Sequence, residues 1–394
     1  TVARLSSLEK YKGIDETLKA LALLKKINFY YFVVGDGDDK ERLILKAKKL
    51  NLMNKLLTLT LGCLLLIPQL VPAAEVNILS ERQEFLLRPF LKAFEENTGI
   101  KANVVYLKKG SLERLKQQPG AVDALLTVDI SNLTAIAEAG LFQPVNSSVI
   151  NKNVPSNYRD PKGLWSALTA RGRVIYYSKD RVKLSELSTY EALADAKFAK
   201  RICTRSGYHK YNVALISSMI AEHGVDAAKK WLQGLKNNLA RKPQGNDRGQ
   251  VKAIFQGQCD VAIGNTYYMG KMLERDDQRK WAASVGIFFP NQNDRGTHMN
   301  VSGGAVTRDA VNKNEAVRLL EFLSGDLAQY MYAQVNHEYP VKEGVSYSGI
   351  VSSFGSSQEG VKKGIFKQDK RNLSEIGSYR KKAIQILDEV NYDK

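Results

Sequence analysis

From Glu75 onward the chain reads as an α/β protein built on a mostly parallel sheet. Three observations predict this. Short apolar runs alternate with amphipathic stretches of helical period, the pattern that lays helices over the faces of a sheet. Gly99, Gly140 and Pro290 punctuate that pattern where a helix or strand must stop. The composition, 44% hydrophobic and 25% charged over 394 residues, is that of an ordinary globular chain with material for two or three cores.

The residues before Glu75 are of two kinds. Residues 1–52 read as a βαβα fragment: a strand end at Val2–Leu5, a helix over Thr17–Ile27, a strand over Phe29–Val34 and a helix over Glu41–Leu50. With Arg4 ahead of the loop Lys10-Tyr11-Lys12-Gly13-Ile14-Asp15, this fragment resembles the start of the donor-binding domain of family 4 glycosyltransferases. Arg4 and Lys12 match the basic pair that holds a nucleotide-sugar diphosphate in that family. The later acidic motif and the acceptor domain are absent, so no glycosyl transfer is expected. Residues 53–74 then read as a secretory signal peptide. Met53-Asn54-Lys55 is a short basic start, Leu56–Val71 is an apolar run, and Pro72-Ala73-Ala74 supplies small residues before Glu75. The run is short for a membrane-spanning helix. Met53 is the expected start of translation. Residues 1–52 are then an upstream reading frame, a fusion or an assembly error.

The remaining elements follow in order. Strands are predicted at Val76–Leu79, Ala102–Tyr106 and Ala124–Val128. Helices alternate with them at Phe85–Asn97, Ser111–Gln117 and Ser131–Ala139. A second unit begins with the strand Val174–Ser178. It continues with helices at Thr189–Ala194, Asn212–His223 and Val225–Leu235, and with strands at Ile202-Cys203 and Val261–Ile263. Two adjacent tyrosines, Tyr267 and Tyr268, sit between that last strand and a helix at Lys271–Glu274. Ser284–Pro290 is a strand closed by proline. Thr297–Val306 is a strand whose Gly303 and Gly304 imply close backbone approach. Helices are expected at Asn314–Leu323, Asp326–Gln334 and Ile376–Val390.

Several functions are disfavoured by composition. The formal net charge is +17, but basic and acidic residues are interspersed without a basic block, so nucleic acid is not an expected partner. Four histidines and three cysteines, without CxxC or HxxxH spacing, argue against a zinc site. Cys203 and Cys259 lie in or before strands, and in an oxidising compartment the two can pair; two buried thiols are the alternative. No nucleophile–base–acid set is evident, so an enzyme is not expected.

A set of motifs resembles another family far more extensively. These are Arg173-Val174-Ile175-Tyr176-Tyr177, Arg205-Ser206-Gly207 with Tyr211-Asn212, Gly245-Asn246-Asp247-Arg248, Gly264-Asn265-Thr266-Tyr267-Tyr268, Asn300-Val301-Ser302-Gly303 and Asn336-His337-Glu338-Tyr339-Pro340-Val341. In this order they resemble the ferric-iron-binding periplasmic proteins of ABC importers, across nearly all of residues 75–394. The resemblance implies a two-lobed periplasmic binding protein of type II with hinge crossover strands. Residues 75–172 and 291–394 would form one lobe and 173–290 the other, with the ligand in the cleft. It further implies a monomer, periplasmic after export, that passes its cargo to an ABC permease.

The resemblance places ferric ligands at Tyr211, Tyr267 and Tyr268. The chemistry suits the cargo: Fe³⁺ is a hard cation, and anionic oxygen donors suit hard cations. The first strand departs from the family pattern. Where a His and a Tyr commonly reach the metal, this chain has Leu79-Ser80-Glu81-Arg82-Gln83-Glu84. Glu81 or Glu84, with Gln83 beside them, or else a bound anion or water, would have to complete the site. Arg82, Arg173 and Arg205 are candidates to hold such an anion or to pair with phenolates. His209 and His298 are expected outside the ligand set. The alternative function keeps the fold but binds a small oxyanion or organic anion instead of iron.

Overall fold

The computed structural model describes residues 74–394, together with Arg42, Leu45, Lys48 and Lys49. Arg4, Lys12, Cys63 and the leader-like run Leu56–Val71 lie outside the described residues. Among the described residues, no helix is long and apolar enough to cross a membrane.

The first half of the chain follows the sequence pattern closely. β1 (Glu75–Ser80), α1 (Glu84–Thr98), β2 (Lys101–Tyr106), α2 (Ser111–Gln117), β3 (Ala124–Thr127) and α3 (Ile130–Glu138) alternate as predicted. Local chemistry sets their ends. Gly99 takes a left-handed conformation, and its N–H closes α1 on the Glu95 carbonyl. The Asp129 carboxylate caps α3 by accepting from the Ser131 N–H. α1 buries Leu87, Phe90, Leu91 and Phe94 on one stripe, and Phe90 stacks on Tyr332 with ring centroids 4.3 Å apart. α4 (Ser148–Asn153) follows.

β4 (Ser166–Ser178) is longer than expected and buried along all 13 residues. Only its second half, Val174–Ser178, was legible as a strand. The first half carries Arg171 and Gly172, a charge and a glycine that weaken a strand signal unless tertiary contacts cover them. β5 (Ile202-Cys203), α5 (Lys210–His223), α6 (Val225–Asn237), α7 (Asp247–Phe255), β6 (Val261–Asn265), α8 (Thr266–Leu273), α9 (Asp276–Ser284) and β7 (Val285–Phe288) complete the middle of the chain. The predicted helix at Thr189–Ala194 is only a 3₁₀ turn, Glu191–Ala194. β8 (Met299–Val306), α10 (Lys313–Ser324), α11 (Asp326–Val335), β9 (Tyr339-Pro340), α12 (Gly349–Ser352), α13 (Leu373–Ser378) and α14 (Arg380–Glu389) follow.

The strand order is β2-β1-β3-β8-β4-β6-β5, with β7 and β9 also paired to β4. The sheet is mixed, not mostly parallel as predicted. β1 runs parallel to β2 and β3, and β5 parallel to β6, but β8 is antiparallel to both β3 and β4. The reason is topological. β4 changes partners along its length: Ser166–Gly172 pairs with β8, and Arg173–Ser178 with β6 and β7. It is one crossover between two lobes. Residues 289–298, which lead from β7 to β8, are the return, and a returning strand beside its outgoing partner must run antiparallel. Gly303 and Gly304 of β8 permit the close packing here. A Cβ on Gly303 would sit 2.6 Å from Leu133 Cδ1, and one on Gly304 2.5 Å from Leu320 Cδ2.

Two cores result. Along β4, Val174 and Tyr176 join one and Ile175 and Tyr177 the other, the two-residue alternation of a strand covered on both faces. In the core of the second lobe, Ala383, Ile386 and Leu387 of α14 pack with Met219, Trp231 and Leu232. The expected single helix over Ile376–Val390 is two, α13 and α14, meeting at Tyr379.

Two covalent or ionic features hold that lobe. Cys203 and Cys259 form a disulfide with a Cα–Cα distance of 5.8 Å, closing a separation of 56 residues between β5 and the turn into β6. Asp247, with no solvent exposure, accepts from Arg173 Nη1 at 2.8 Å, Arg205 Nη1 at 2.9 Å and the Asn265 N–H at 2.9 Å. Burial by itself would raise the Asp247 pKa, but Arg173 and Arg205 outweigh it and hold the carboxyl below its ordinary value of 3.8.

Two outcomes are expected. Reduction, or Cys203→Ala with Cys259→Ala, lowers unfolding free energy by about 2–4 kcal/mol in urea titrations, because the unfolded chain regains the freedom of a long loop. Asp247→Ala leaves two guanidinium groups without their shared carboxylate and costs about 3–5 kcal/mol. The folded Asp247 pKa lies below the unfolded one. Its contribution is therefore complete above about pH 4 and declines as pH falls through the depressed folded value, which urea midpoints measured from pH 7 down to 3 will show.

Candidate functional site

Three tyrosines from two helices meet at one point. α5 begins where the His209 side chain caps it, Nδ1 accepting from the Tyr211 N–H at 3.2 Å. Tyr211 thus stands in the first turn. Tyr267 and Tyr268 also lie in a first helical turn, because α8 begins at Thr266 and not after the pair as predicted. The Thr-Tyr-Tyr run has strand-like side chains, but the ladder ends at Asn265, the last residue of β6, where Asp247 takes its N–H. The phenol oxygens of Tyr211 and Tyr267 are 3.3 Å apart. The rings of Tyr267 and Tyr268 are 4.2 Å apart between centroids.

Burial, followed by the neighbouring phenols of Tyr211 and Tyr268, pushes the Tyr267 hydroxyl well above the ordinary tyrosine value. Burial, then Tyr211, then Asp247 raises Tyr268 as well. Both are firmly neutral at pH 7 without a cation. Two oxygens this close cannot both ionise unless a positive charge lies between or beside them. Arginines surround the cluster: the guanidinium carbons of Arg171, Arg173 and Arg205 lie 5.5, 5.9 and 5.4 Å from the Tyr211 ring centroid. Arg248 lies 5.7 Å from that of Tyr268.

The tyrosines open onto a cleft of about 270 Å³. Its second-lobe wall carries Tyr211, Tyr267, Tyr268, Arg248, Lys271, Glu274 and Arg275; the opposite wall carries Glu81, Arg82, Gln83, Phe85, Asn336 and Glu338, with Arg171 and Ser302 at the floor. Gln83 lines the cleft. Glu84 does not: it turns into solvent and pairs with Arg88. Glu81 lines the cleft, but its carboxylate already accepts from Ser111 Oγ at 2.8 Å and from Asn132 Nδ2 at 2.7 Å, with Lys210 Nζ at 3.6 Å. Arg82 is buried against Glu338 at 2.8 Å, leaving Nε and Nη1 without partners. Arg173 and Arg205 lie behind the tyrosines and are held by Asp247; Arg173 Nη2 also donates to Asn212 Oδ1 at 2.6 Å. These two fit the role of bracing the tyrosine helices better than that of facing a ligand.

His298 is fully buried with both ring nitrogens unpartnered. Burial, reinforced by Arg295 and Arg173, lowers its pKa to about 3. Burial and then Arg205 and Arg173 do the same for His209, also to about 3. Neither faces the cleft. Among the described residues no group of three or more His, Cys, Asp or Glu side chains is placed to hold a metal.

Arg171, Asn336 and Glu338 are site residues that sequence reasoning missed as such. For Arg171 a signal was present: it lies two positions from Arg173 on one strand and so shares its face. Its Nη1 donates to Ser302 Oγ at 2.9 Å and its Nη2 to the Val128 carbonyl. Asn336 and Glu338 reach the cleft only because β9 pairs with β4.

Comparison with known proteins places this geometry. Residues 1–60 match the family model for glycosyl transferases group 1, and residues 79–330 match that for bacterial extracellular solute-binding proteins. Iron uptake protein A1 of Synechocystis is 42% identical over 324 residues, 81% of this chain and 87% of that protein. The ferric iron-binding protein A of Mannheimia haemolytica, solved in an open conformation, is 46% identical with a TM-score of 0.75, covering 82% of this chain and all of that one. A Trichodesmium protein solved in complex with iron and citrate is 38% identical with a TM-score of 0.76, over 81% of this chain and all of that one. By the extent of these matches and by its two-lobed fold, the chain belongs to the bacterial extracellular solute-binding proteins.

Proposed function

We propose that this chain captures ferric iron in the cleft between its lobes, through the phenolates of Tyr211, Tyr267 and Tyr268, and delivers it to an ABC permease from the outer side of the cytoplasmic membrane. The observation that carries the reading is the convergence of three phenols, two of them 3.3 Å apart at their oxygens, on a cleft rimmed by charged groups. Three phenolates would balance the charge of Fe³⁺ and supply the hard oxygen donors it prefers. The protein acts as a carrier and catalyses no covalent step; it works as a monomer in the periplasm, exported by the leader that begins at Met53. The solved relative with iron and citrate supports the same reading.

An anion completes the coordination in this proposal. The first-lobe wall has no His-Tyr pair, and Glu84 is turned away. Donors without partners lie buried beside the cleft: Arg82 Nε and Nη1 and Asn336 Nδ2 on that side, and Arg171 Nε at the floor. Buried N–H groups of this kind are costly unless something accepts from them. A carboxylate or oxyanion bound to the iron would accept there. The same donors favour a second reading, in which the cleft takes a small oxyanion or organic anion without metal.

The test is an optical titration of residues 75–394 with a ferric chelate. Phenolate bound to Fe³⁺ produces a visible charge-transfer band, which is expected to saturate at one iron per chain. Tyr267→Phe with Tyr268→Phe, which remove the oxygens and keep the ring volume, should abolish the band and weaken iron binding by at least about a hundredfold, more than loss of an outer-shell partner costs. A folded parent protein that stays colourless but binds the anion alone would establish the second reading instead.

The raised phenol values set the pH dependence. Tyr267 and Tyr268 hold their protons without iron and lose them on binding. Loading therefore releases protons, and affinity falls as pH is lowered. A pH-stat titration corrected for the chelate measures this directly; proton-neutral loading would contradict phenolate ligation.

A further inference from the structure

The loop Thr204–His209 runs directly into the helix that begins at Lys210 and carries Tyr211. It is clasped by a segment nearly 180 residues away in sequence. The Asp393 carboxylate accepts from the Gly207 N–H at 2.7 Å and from the Ser206 hydroxyl. The Tyr392 hydroxyl meets Thr204 Oγ1 at 3.1 Å, and Tyr208 donates to Asp388 Oδ1 at 2.6 Å. The fit leaves no space: a Cβ on Gly207 would lie 2.4 Å from Leu387 Cδ2 and 2.6 Å from Tyr392 Cδ1. Tyr392 is 2% exposed. On its other side the loop is tied to the tyrosine helix by Asn212, whose Nδ2 donates to the carbonyls of Arg205 and Ser206 at 3.1 Å each.

We infer that the segment Leu387–Asp393 is a clamp that sets the position of Tyr211, with Asp393 as a positioning residue for the ligand site. The geometric reason is leverage. Tyr211 stands four residues beyond Gly207, in the first turn of its helix, and the His209 cap transmits any shift of the loop to that turn. A phenolate displaced by a fraction of an ångström loses its place in the coordination sphere, as misplacement costs any preorganised site. The segment reaches the loop because α14 packs in the second core, so the clamp also ties residues that follow the first-lobe elements to the ligand helix of the second lobe. The inference rests on the proposed ligation by Tyr211 for its consequence in iron binding, though not for the clamp itself.

The experiment compares Asp393→Ala with Glu389→Ala, a variant at the last residue of α14 that removes a surface pair with Lys229 at 2.7 Å and a hydrogen bond from Gln385 Nε2 at 2.8 Å. Two readouts are taken. The first is iron affinity with the wavelength of the charge-transfer band. The second is amide hydrogen exchange over residues 204–211 in the iron-free protein. Asp393→Ala is expected to bind iron about tenfold more weakly, the effect of losing a charge-assisted hydrogen bond that fixes the site. It should also shift the band and speed exchange in that loop alone, while Glu389→Ala matches the parent. A folded Asp393→Ala protein with unchanged affinity, band and exchange overturns the inference. If Asp393→Ala does not fold, Ser206→Ala removes the partner hydroxyl from the loop side, and unchanged exchange and band in that variant overturn it equally. A colourless parent protein would remove the tyrosinate reading, and loop exchange would still decide the clamp.

Discussion

One carboxylate without solvent contact, Asp247, joins four segments of the second lobe. It sits at the start of α7 and binds Arg173 of the crossover strand, Arg205 of the loop ahead of α5, and the backbone of Asn265 where β6 ends. Both tyrosine helices begin within a few residues of its partners. Removing either sign of charge would leave the other buried and unpaired, which is why such a network persists or fails as a unit. Through these partners it fixes the segments from which the helices of Tyr211, Tyr267 and Tyr268 start.

The same network explains a division of labour among the arginines. Arg173 and Arg205 are occupied by Asp247 and brace the ligand helices from behind. Arg171, two residues along the strand, and Arg82, from the opposite lobe, line the cleft itself. Each wall of the cleft mixes oxygen acceptors with hydrogen-bond donors, the phenols standing on one and Arg82 and Asn336 on the other. The walls complement each other around a ligand that carries both a cation and an anion, such as an iron–carboxylate unit.

Periodicity made most of the fold legible. α1, β2, α2 and β3 lie where their alternation and glycine stops put them, since those signals are local. The misreadings share a cause. The first half of β4, the start of α8 and the break between α13 and α14 depend on contacts distant in sequence. A charged residue such as Arg171 belongs to a buried strand only when its neighbours satisfy it. Tyr267 and Tyr268 look like strand residues until Asp247 ends the ladder at Asn265.

By itself the sequence determined the α/β alternation, the residues with oxygen-donor chemistry, and the family resemblance that singled out Tyr211, Tyr267 and Tyr268 from 18 tyrosines. These are properties of local pattern and residue type. The tertiary structure decided which charged groups face the ligand. Glu84 is the most suggestive carboxylate by sequence and points away, whereas Arg82 meets Glu338 across 256 residues. The last helix packs against Met219, Trp231 and Leu232, far away in sequence, which no local period records. A side chain's partners follow from how the whole sheet closes, and burial gives each pairing its strength.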